Sequence, residues 1–291
     1  MRAILILNPK SGDADHTPEH VADALRQGGF IVEPHLTVPE NWSDALREPT
    51  ELVVVAGGDG TVAQVALTLP PDAPPLAVLP FGTANNLAGA VGGWADAAAL
   101  AEGWREGSHR GLDLADADGP WGKQRIVEAA GFGAFAHGVR RADRIGIKGV
   151  DKGRAAFRES LASAPVLRLS LQVDGAATEV ETLLLEVSTM PGFGPQLRLA
   201  PCIAPGDGRL AVVTLAPACR AAMLDWLEQP ESGPPPCDCR PAQHVAFNWP
   251  GGPIRLDDEP LSPDLGGPVR IGANGARVRV LSPPHSRRWN A

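Results

Sequence analysis

Tyrosine is absent from this 291-residue chain, so no phenol can serve as an acid, a base or an interfacial anchor. Cysteine is scarce, with Cys202, Cys219, Cys237 and Cys239 as the only four. None has C-x-x-C spacing, and the C-x-C at 237 and 239 has no second pair nearby. A structural or incidental role therefore fits them better than a zinc centre. No apolar run approaches the ~18 residues needed to cross a bilayer. The run Ala3–Leu7 is too short for a secretory core and reads as a buried first strand. Positive charge is in deficit as well. The formal net charge of −8 argues against a nucleic-acid partner and against a broadly cationic membrane face. No G-x-x-x-x-G-K-[ST] phosphate loop occurs, and the first strand turn lacks the G-x-G-x-x-G dinucleotide fingerprint. Together these absences predict a cytoplasmic protein with, at most, peripheral membrane association.

What remains is ordinary globular composition, 44% hydrophobic and 21% charged, in two differently patterned halves. Residues 1–110 alternate strands and helices. Ala3–Leu7, Ile31–Thr37, Leu52–Ala56 and Leu76–Leu79 read as strands. Helical patterns run to Gly28-Gly29, through Leu67, and to Glu106. The continuous apolar run at Leu52–Ala56 suits a parallel strand covered on both faces. This half is predicted to be a doubly wound α/β domain.

From residue 111 to 282 the apolar segments shorten and are punctuated by Gly and Pro. Strands are predicted at Ile126–Ala130, Val166–Val173, Glu179–Thr189, Arg209–Leu215, His244–Asn248, Pro253–Leu256, Val269–Ile271 and Ala276–Leu281. One helix is expected at about Ala136 to Ser163, and a Pro-rich surface loop at Glu228–Arg240. The pattern is that of an antiparallel β-sandwich. Residues 283–291 form a C-terminal tail that could return to the first domain. Most of the seven tryptophans read as core.

Three polar, glycine-containing segments follow three of the first-half strands. They are Asn8-Pro9-Lys10-Ser11-Gly12, Gly57-Gly58-Asp59-Gly60-Thr61 and Pro80-Phe81-Gly82-Thr83-Ala84-Asn85-Asn86. Each precedes a helix, where exposed N–H groups and the dipole favour an anion. Glycine lets the backbone approach a phosphate without a Cβ clash. Asp59 does not itself attract an anion, and within a phosphate loop it suits a metal ion or a proton. Any one segment could be a simple turn. At one sheet edge, all three make a nucleotide site.

The ordered triple N-P-x-S-G, G-G-D-G-T and P-x-G-T-x-N resembles the diacylglycerol kinase catalytic family, which includes bacterial lipid kinases and sphingosine kinases. The resemblance extends over nearly the whole chain. It implies an α/β nucleotide-binding domain of the NAD kinase/diacylglycerol kinase kind, followed by a β-sandwich lipid-binding domain, with the active site between them. It also implies ATP and Mg²⁺. By resemblance Asn8, Ser11, Thr37, Gly57, Gly58, Asp59, Gly60, Thr61, Thr83 and Asn85 contact nucleotide. Asp207-Gly208-Arg209-Leu210 is similar to the family's D-G-x-L segment, which holds a structural Mg²⁺ through Asp207 and the carbonyls of Ala204 and Arg209. Oxygen-only ligation suits such a hard cation. Read without the family, the same residues make a D-G turn.

Asp257-Asp258-Glu259-Pro260 resembles D-G-E-P, with Glu259 as proton acceptor. Asp258 stands where the family has Gly, a strained choice if that position needs positive φ, although Asp tolerates it better than most. Asn86 stands where Asp is common and removes a charge. The resemblance implies transfer of phosphate from ATP to a lipid hydroxyl, diacylglycerol-like or sphingoid-like, with Glu259 or Asp59 as the base. Pairing through the C-terminal domain is a family habit, which makes a homodimer an expectation. Arg140, Arg141, Arg144, Lys148, Lys152, Arg154 and Arg158 form a local basic stretch that could meet anionic lipid or simply be a solvated helix face. Two other classes stay open. An NAD kinase-like enzyme shares G-G-D-G-T but not N-P-x-S-G or D-x-E-P. A non-catalytic lipid- or nucleotide-binding protein would be favoured by Asp258 and Asn86.

Overall fold

The computed structural model describes residues 1–9, 17–46, 48–144, 146, 149–262 and 265–284. The chain forms two compact units. One is Met1–Leu112 with the segment from Arg277, and the other is Asp113–Ala276. The expected boundary lay at 110/111, and the return to the first unit begins earlier than residue 283. Residues 285–291 of the expected tail lie outside the described residues.

The first unit contains β1 (Arg2–Leu7), α1 (Pro18–Gln27), β2 (Ile31–His35), α2 (Trp42–Ala45), β3 (Leu52–Gly57), α3 (Asp59–Thr68), β4 (Leu76–Pro80), α4 (Asn86–Val91) and α5 (Ala97–Gly103). Its strands are ordered β2-β1-β3-β4, all parallel. Ala3, Leu5, Leu7, Leu52, Val54, Ala56, Ala77 and Leu79 share one core with α1 and α5. The alternate residues Ile4, Ile6, Val53, Val55 and Val78 point to the opposite face and are equally buried. Burial of both faces explains the unbroken apolar runs. α1 starts where Thr17 accepts the His20 N–H and ends at Gly28. The Ala-rich stretch forms α4 and α5 rather than one helix, because Gly92 adopts φ 91° between them.

The second unit begins within β5 (Ser108–Gly119) and continues with β6 (Gly122–Ile126), β7 (Ala129–Gly133), α6 (Ala134–Arg144), α7 (Val150–Ala162), β8 (Leu167–Val173), β9 (Ala176–Thr182), β10 (Leu184–Ser188), β11 (Leu210–Thr214), α8 (Arg220–Trp226), β12 (Asp238–Ala242), β13 (His244–Trp249), β14 (Ile254–Leu256), β15 (Glu259–Pro260) and β16 (Gly267–Ser282). β16 pairs with β13 at its start, and at its end Val280 meets Leu76 of β4. There the Trp94 indole donates to the Leu281 carbonyl at 2.8 Å, and the Ser282 hydroxyl donates to the Val91 carbonyl at 2.5 Å. The two strands expected at Val269–Ile271 and Ala276–Leu281 are thus one.

The sheet β12-β11-β10-β7-β14-β15 is the central layer of this unit. Its inner face packs against β5, β6, β8, β13 and β16 through Phe132, Leu185, Val187, Phe247, Trp249 and Ile271. Its outer face packs against α6, α7 and α8 through Phe135, Phe157, Leu161, Leu184 and Met223. The sandwich therefore carries a helical third layer.

Several elements differ from expectation. Ile126–Ala130 is not one strand. The chain bends at Val127 and Glu128, so β6 and β7 belong to different sheets. Glu179–Thr189 likewise splits, because Thr182 turns inward, its hydroxyl donating to the Leu184 carbonyl and accepting the Leu215 N–H at 2.9 Å. The helix at 136–163 is two helices. β5 and α8 were not expected. The Pro-rich loop ends in β12, and Cys239 on that strand forms a disulfide with Cys202. Cys219 and Cys237 are free, and burial pushes the Cys237 thiol up to about 12.

Phe132 sits at the centre of an aromatic group, with ring centroids 4.9 Å from Phe247, 5.1 Å from Trp249 and 6.2 Å from Trp121. Phe132→Ala should destabilise the protein by about 3–5 kcal/mol, measured by urea denaturation.

Candidate functional site

Parallel pairing brings the carboxyl ends of β1, β3 and β4 to one edge, with Leu7 opposite Ala56 and Gly57 opposite Pro80. From β1 the chain winds outward to β2 on one side and to β3 and β4 on the other. Ligands of open α/β sheets bind outside the strands at such a switch point. All three predicted loops leave from this edge.

Asn8 follows β1. Its N–H donates to the Ala56 carbonyl at 3.1 Å, and its amide Nδ2 donates to the Thr61 hydroxyl at 3.0 Å, bridging the switch point. Gly57 ends β3 and accepts the Phe81 N–H at 3.0 Å. Gly58 is the N-cap of α3, which places Asp59, Gly60 and Thr61 in its first turn. Gly58 and Gly82 meet backbone to backbone. A Cβ added to Gly82 would lie 2.4 Å from the Gly58 Cα. Only glycine permits that approach, and it leaves an open cradle at the start of α3.

Asp59 accepts the Leu87 N–H at 2.9 Å and so caps α4, tying the second loop to the third. Asn85 has φ 52°, a conformation Asn tolerates. Its side chain closes the Gly82 turn, accepting the Gly82 N–H at 2.8 Å and donating to the Gly82 carbonyl at 2.7 Å. Thr83 is exposed on this turn. Asn86 is buried at the start of α4. Thr37 is exposed two residues past β2, and no hydrogen bond joins it to these loops among the described residues. Ser11 lies outside the described residues.

In the second unit, Asp207 organises the loop predicted to hold a cation. Its carboxylate accepts the N–H of Ala204 at 3.0 Å and of Arg209 at 2.9 Å, and its own N–H donates to the Ala204 carbonyl at 3.2 Å. Asp113, which sequence reasoning missed, accepts the Gly208 N–H at 3.1 Å from the other side. Ala204, Asp207 and Arg209 are exposed and offer only oxygen donors, a set that fits a hard cation.

Glu259 opens β15, opposite Leu256 across the two-residue turn Asp257-Asp258. The residue with positive φ is Asp257, at 50°. Asp258 therefore does not carry the strain that its replacement of Gly suggested. The Asp257 carboxylate accepts the N–H groups of Glu128 at 2.7 Å, Ala129 at 3.1 Å and Val127 at 3.2 Å.

Arg255 precedes this turn and is buried on the outer face of the central sheet. It donates to the Asp257 carbonyl at 2.5 Å and to Glu186 at 2.7 Å, with Glu128 3.7 Å away. Its guanidinium lies over the Phe135 ring at 4.7 Å and the Phe193 ring at 5.1 Å. Gly131 makes room, since a Cβ there would lie 2.4 Å from a Glu186 oxygen. Sequence reasoning missed Glu128, Glu186 and Arg255. Their signal was a single charge inside an apolar strand, as in L-L-E-V and I-R-L.

Burial pushes the Glu186 carboxyl up to about 7, against the pull of Arg255. Burial also raises Asp257 to about 6, against its backbone donors. Arg255 moves up as well, because nearby carboxylates outweigh its own burial, and it keeps its charge. The raised value at Glu186 is the more telling, since one guanidinium is shared between Glu186 and Glu128.

The basic stretch is partly neutralised. Arg141 pairs with Glu159 at 2.6 Å, Arg158 with Glu228 at 2.5 Å and Arg154 with Glu231 at 3.2 Å. Among the described residues Arg140, Arg144 and Lys152 make no ion pair, and Lys148 lies outside them. No helix among the described residues is long and apolar enough to cross a membrane.

Residues 2–117 match the diacylglycerol kinase catalytic domain. A diacylglycerol kinase of Bacillus subtilis (strain 168) is 28% identical over 232 residues, covering 75% of this chain and 74% of that protein. A protein named "Probable lipid kinase YegS-like" from Pectobacterium atrosepticum is 40% identical over 96 residues, covering 29% of this chain and 31% of its own length. A crystal structure of a diacylglycerol kinase from Bacillus anthracis str. Sterne superposes with a TM-score of 0.73 at 20% identity, covering 97% of both chains. Yeast NADH kinase complexed with NADH superposes with a TM-score of 0.53 at 12% identity, covering 99% of this chain and 85% of that one. These two likenesses are of fold.

Gly82→Ala should separate the two glycine loops and destabilise the protein by about 1–3 kcal/mol, the scale of overpacking, with the circular dichroism spectrum retained. Urea denaturation checks it. A pH dependence follows from Glu186. Its carboxyl holds a proton more tightly in the folded state, about 7 against an ordinary 4.5. The folded state then carries the extra proton between those values, and this contribution to stability falls as pH rises through that window. Stability of Glu186→Gln relative to wild type should therefore increase from pH 4.5 to 7.5 in urea titrations.

Proposed function

We propose that this chain, whose residues 2–117 belong to the diacylglycerol kinase catalytic-domain family, is an ATP-dependent lipid kinase that phosphorylates a hydroxyl of a membrane lipid. The observation that carries this reading is the convergence of Asn8, Gly58 and Gly82 at the switch point of the parallel sheet. The name of the Bacillus subtilis relative supports a diacylglycerol-like acceptor.

Phosphoryl transfer asks the protein for positioning and charge neutralisation more than for covalent chemistry. The Gly58–Gly82 cradle and the first turn of α3 receive the phosphates, with the Thr61 hydroxyl beside them. Asp59 ties α4 to the start of α3 beside this cradle through the Leu87 N–H. That duty leaves Glu259, exposed beyond its turn, as the better candidate to take the proton of the lipid hydroxyl. A magnesium ion bound with ATP would supply charge neutralisation. Asp207, with the carbonyls of Ala204 and Arg209, would hold a second, structural cation. Arg140, Arg144 and Lys152 are the cations left to meet an anionic surface.

The test is transfer of radiolabelled phosphate from ATP, with Mg²⁺, to a panel of lipids in mixed micelles and to NAD. Label in a lipid and its loss in Glu259→Gln are expected. Label in NAD alone would make the protein a small-molecule kinase. ATP binding without label in any acceptor would make it a binding protein.

A further inference from the structure

Glu259 reaches its place through a very short path. Only Asp257 and Asp258 separate β14 from β15, and β15 is two residues long at the edge of its sheet. An edge hairpin of this length has little intrinsic stability, so the direction of Glu259 depends on what fixes the turn. Two groups fix it. The Asp257 carboxylate is bound by three successive N–H groups ahead of and within β7, and the Asp257 N–H donates to the Ala129 carbonyl at 2.7 Å. From the other side, the Asp257 carbonyl accepts from Arg255.

Arg255 is held for reasons unconnected with the turn. It is fully buried, its second nitrogen is bound by Glu186 on β10, and its guanidinium packs over both the Phe135 ring of α6 and the Phe193 ring, which meet edge to face. One planar cation therefore spans from the middle of the central sheet to the turn at its edge. A buried ion pair is a poor device for stability alone, since well-packed apolar residues often do as well or better. Its geometry here serves to connect Glu186 with the Asp257 carbonyl.

We propose that Arg255, held by Glu186, is a positioning residue that aims Glu259 at the lipid hydroxyl. The proposal rests on the reading of Glu259 as the proton acceptor. Lysine at 255 keeps the charge opposite Glu186 but cannot hold that carboxylate and the Asp257 carbonyl with one rigid fork.

The test measures kcat, KM for ATP and thermal stability for wild type, Arg255→Lys, Glu259→Gln, Glu128→Gln and, in that Glu128→Gln background so that no buried carboxylate loses its cation, the double variant Arg255→Met/Glu186→Leu, with diacylglycerol in mixed micelles. Arg255→Lys should lower kcat by about tenfold to a hundredfold, the scale of a misplacement near 1 Å, with KM for ATP unchanged. The double variant, an apolar replacement of the pair, should regain or exceed the wild-type melting temperature while kcat stays low. Wild-type kcat in Arg255→Lys, or a kcat that recovers together with melting temperature in the double variant, would assign the pair to stability and overturn the proposal. Wild-type turnover in Glu259→Gln would instead remove the proton-acceptor reading, and the positioning role with it.

Discussion

The contact between Gly58 and Gly82 is the constraint on which the first unit's candidate site depends. Two loops from neighbouring strands can meet backbone to backbone only where neither carries a Cβ. Their meeting leaves the start of α3 open at the point where the sheet reverses its winding. The surrounding polar residues serve that contact. Asn8 spans to Thr61, Asn85 closes the Gly82 turn and Asp59 caps α4. Several side chains that seemed reserved for ligand thus have a structural duty first. Asp59 is the clearest case, because its carboxylate is already committed to the Leu87 N–H.

The second unit works from a different constraint. Its central sheet is covered on both faces, by a second sheet and by helices. Polar groups on the helix-facing side must therefore find partners inside the protein. Glu186 and Glu128 do so with Arg255, and removing Arg255 would leave both carboxylates buried without their cation, at a cost of about 3–5 kcal/mol. Asp257 satisfies three backbone donors in the same way. These buried groups surround the short hairpin that ends in Glu259. Through them the core geometry reaches a side chain at the sheet edge.

The parallel strands and their loops were legible in the sequence because a strand buried on both faces is uniformly apolar. The motifs at Asn8, Gly57–Thr61 and Pro80–Asn86 then fall at predictable strand ends. The alternation in Leu167–Val173 was equally readable. The split between β6 and β7 was not. Val127 and Glu128 look like strand residues, and only their bonds to Asp257, some 130 positions later, turn the chain into another sheet. The single strand β16, the Cys202–Cys239 disulfide and the buried charges of the second unit escaped for the same reason. Each is defined by a partner distant in sequence.

By itself the sequence determined the alternating α/β first half, the antiparallel second half and the candidate phosphate loops. These follow from local periodicity and from glycine at strand ends, which act over a few residues. Only the tertiary structure decided that positive φ falls on Asp257 rather than Asp258, that Asp59 caps a second helix, and that Arg255 braces the turn before Glu259. Those outcomes depend on which backbone N–H groups and which buried charges meet across the fold. Pairing of this kind is enforced by the loss of water in the core, and no local pattern encodes it.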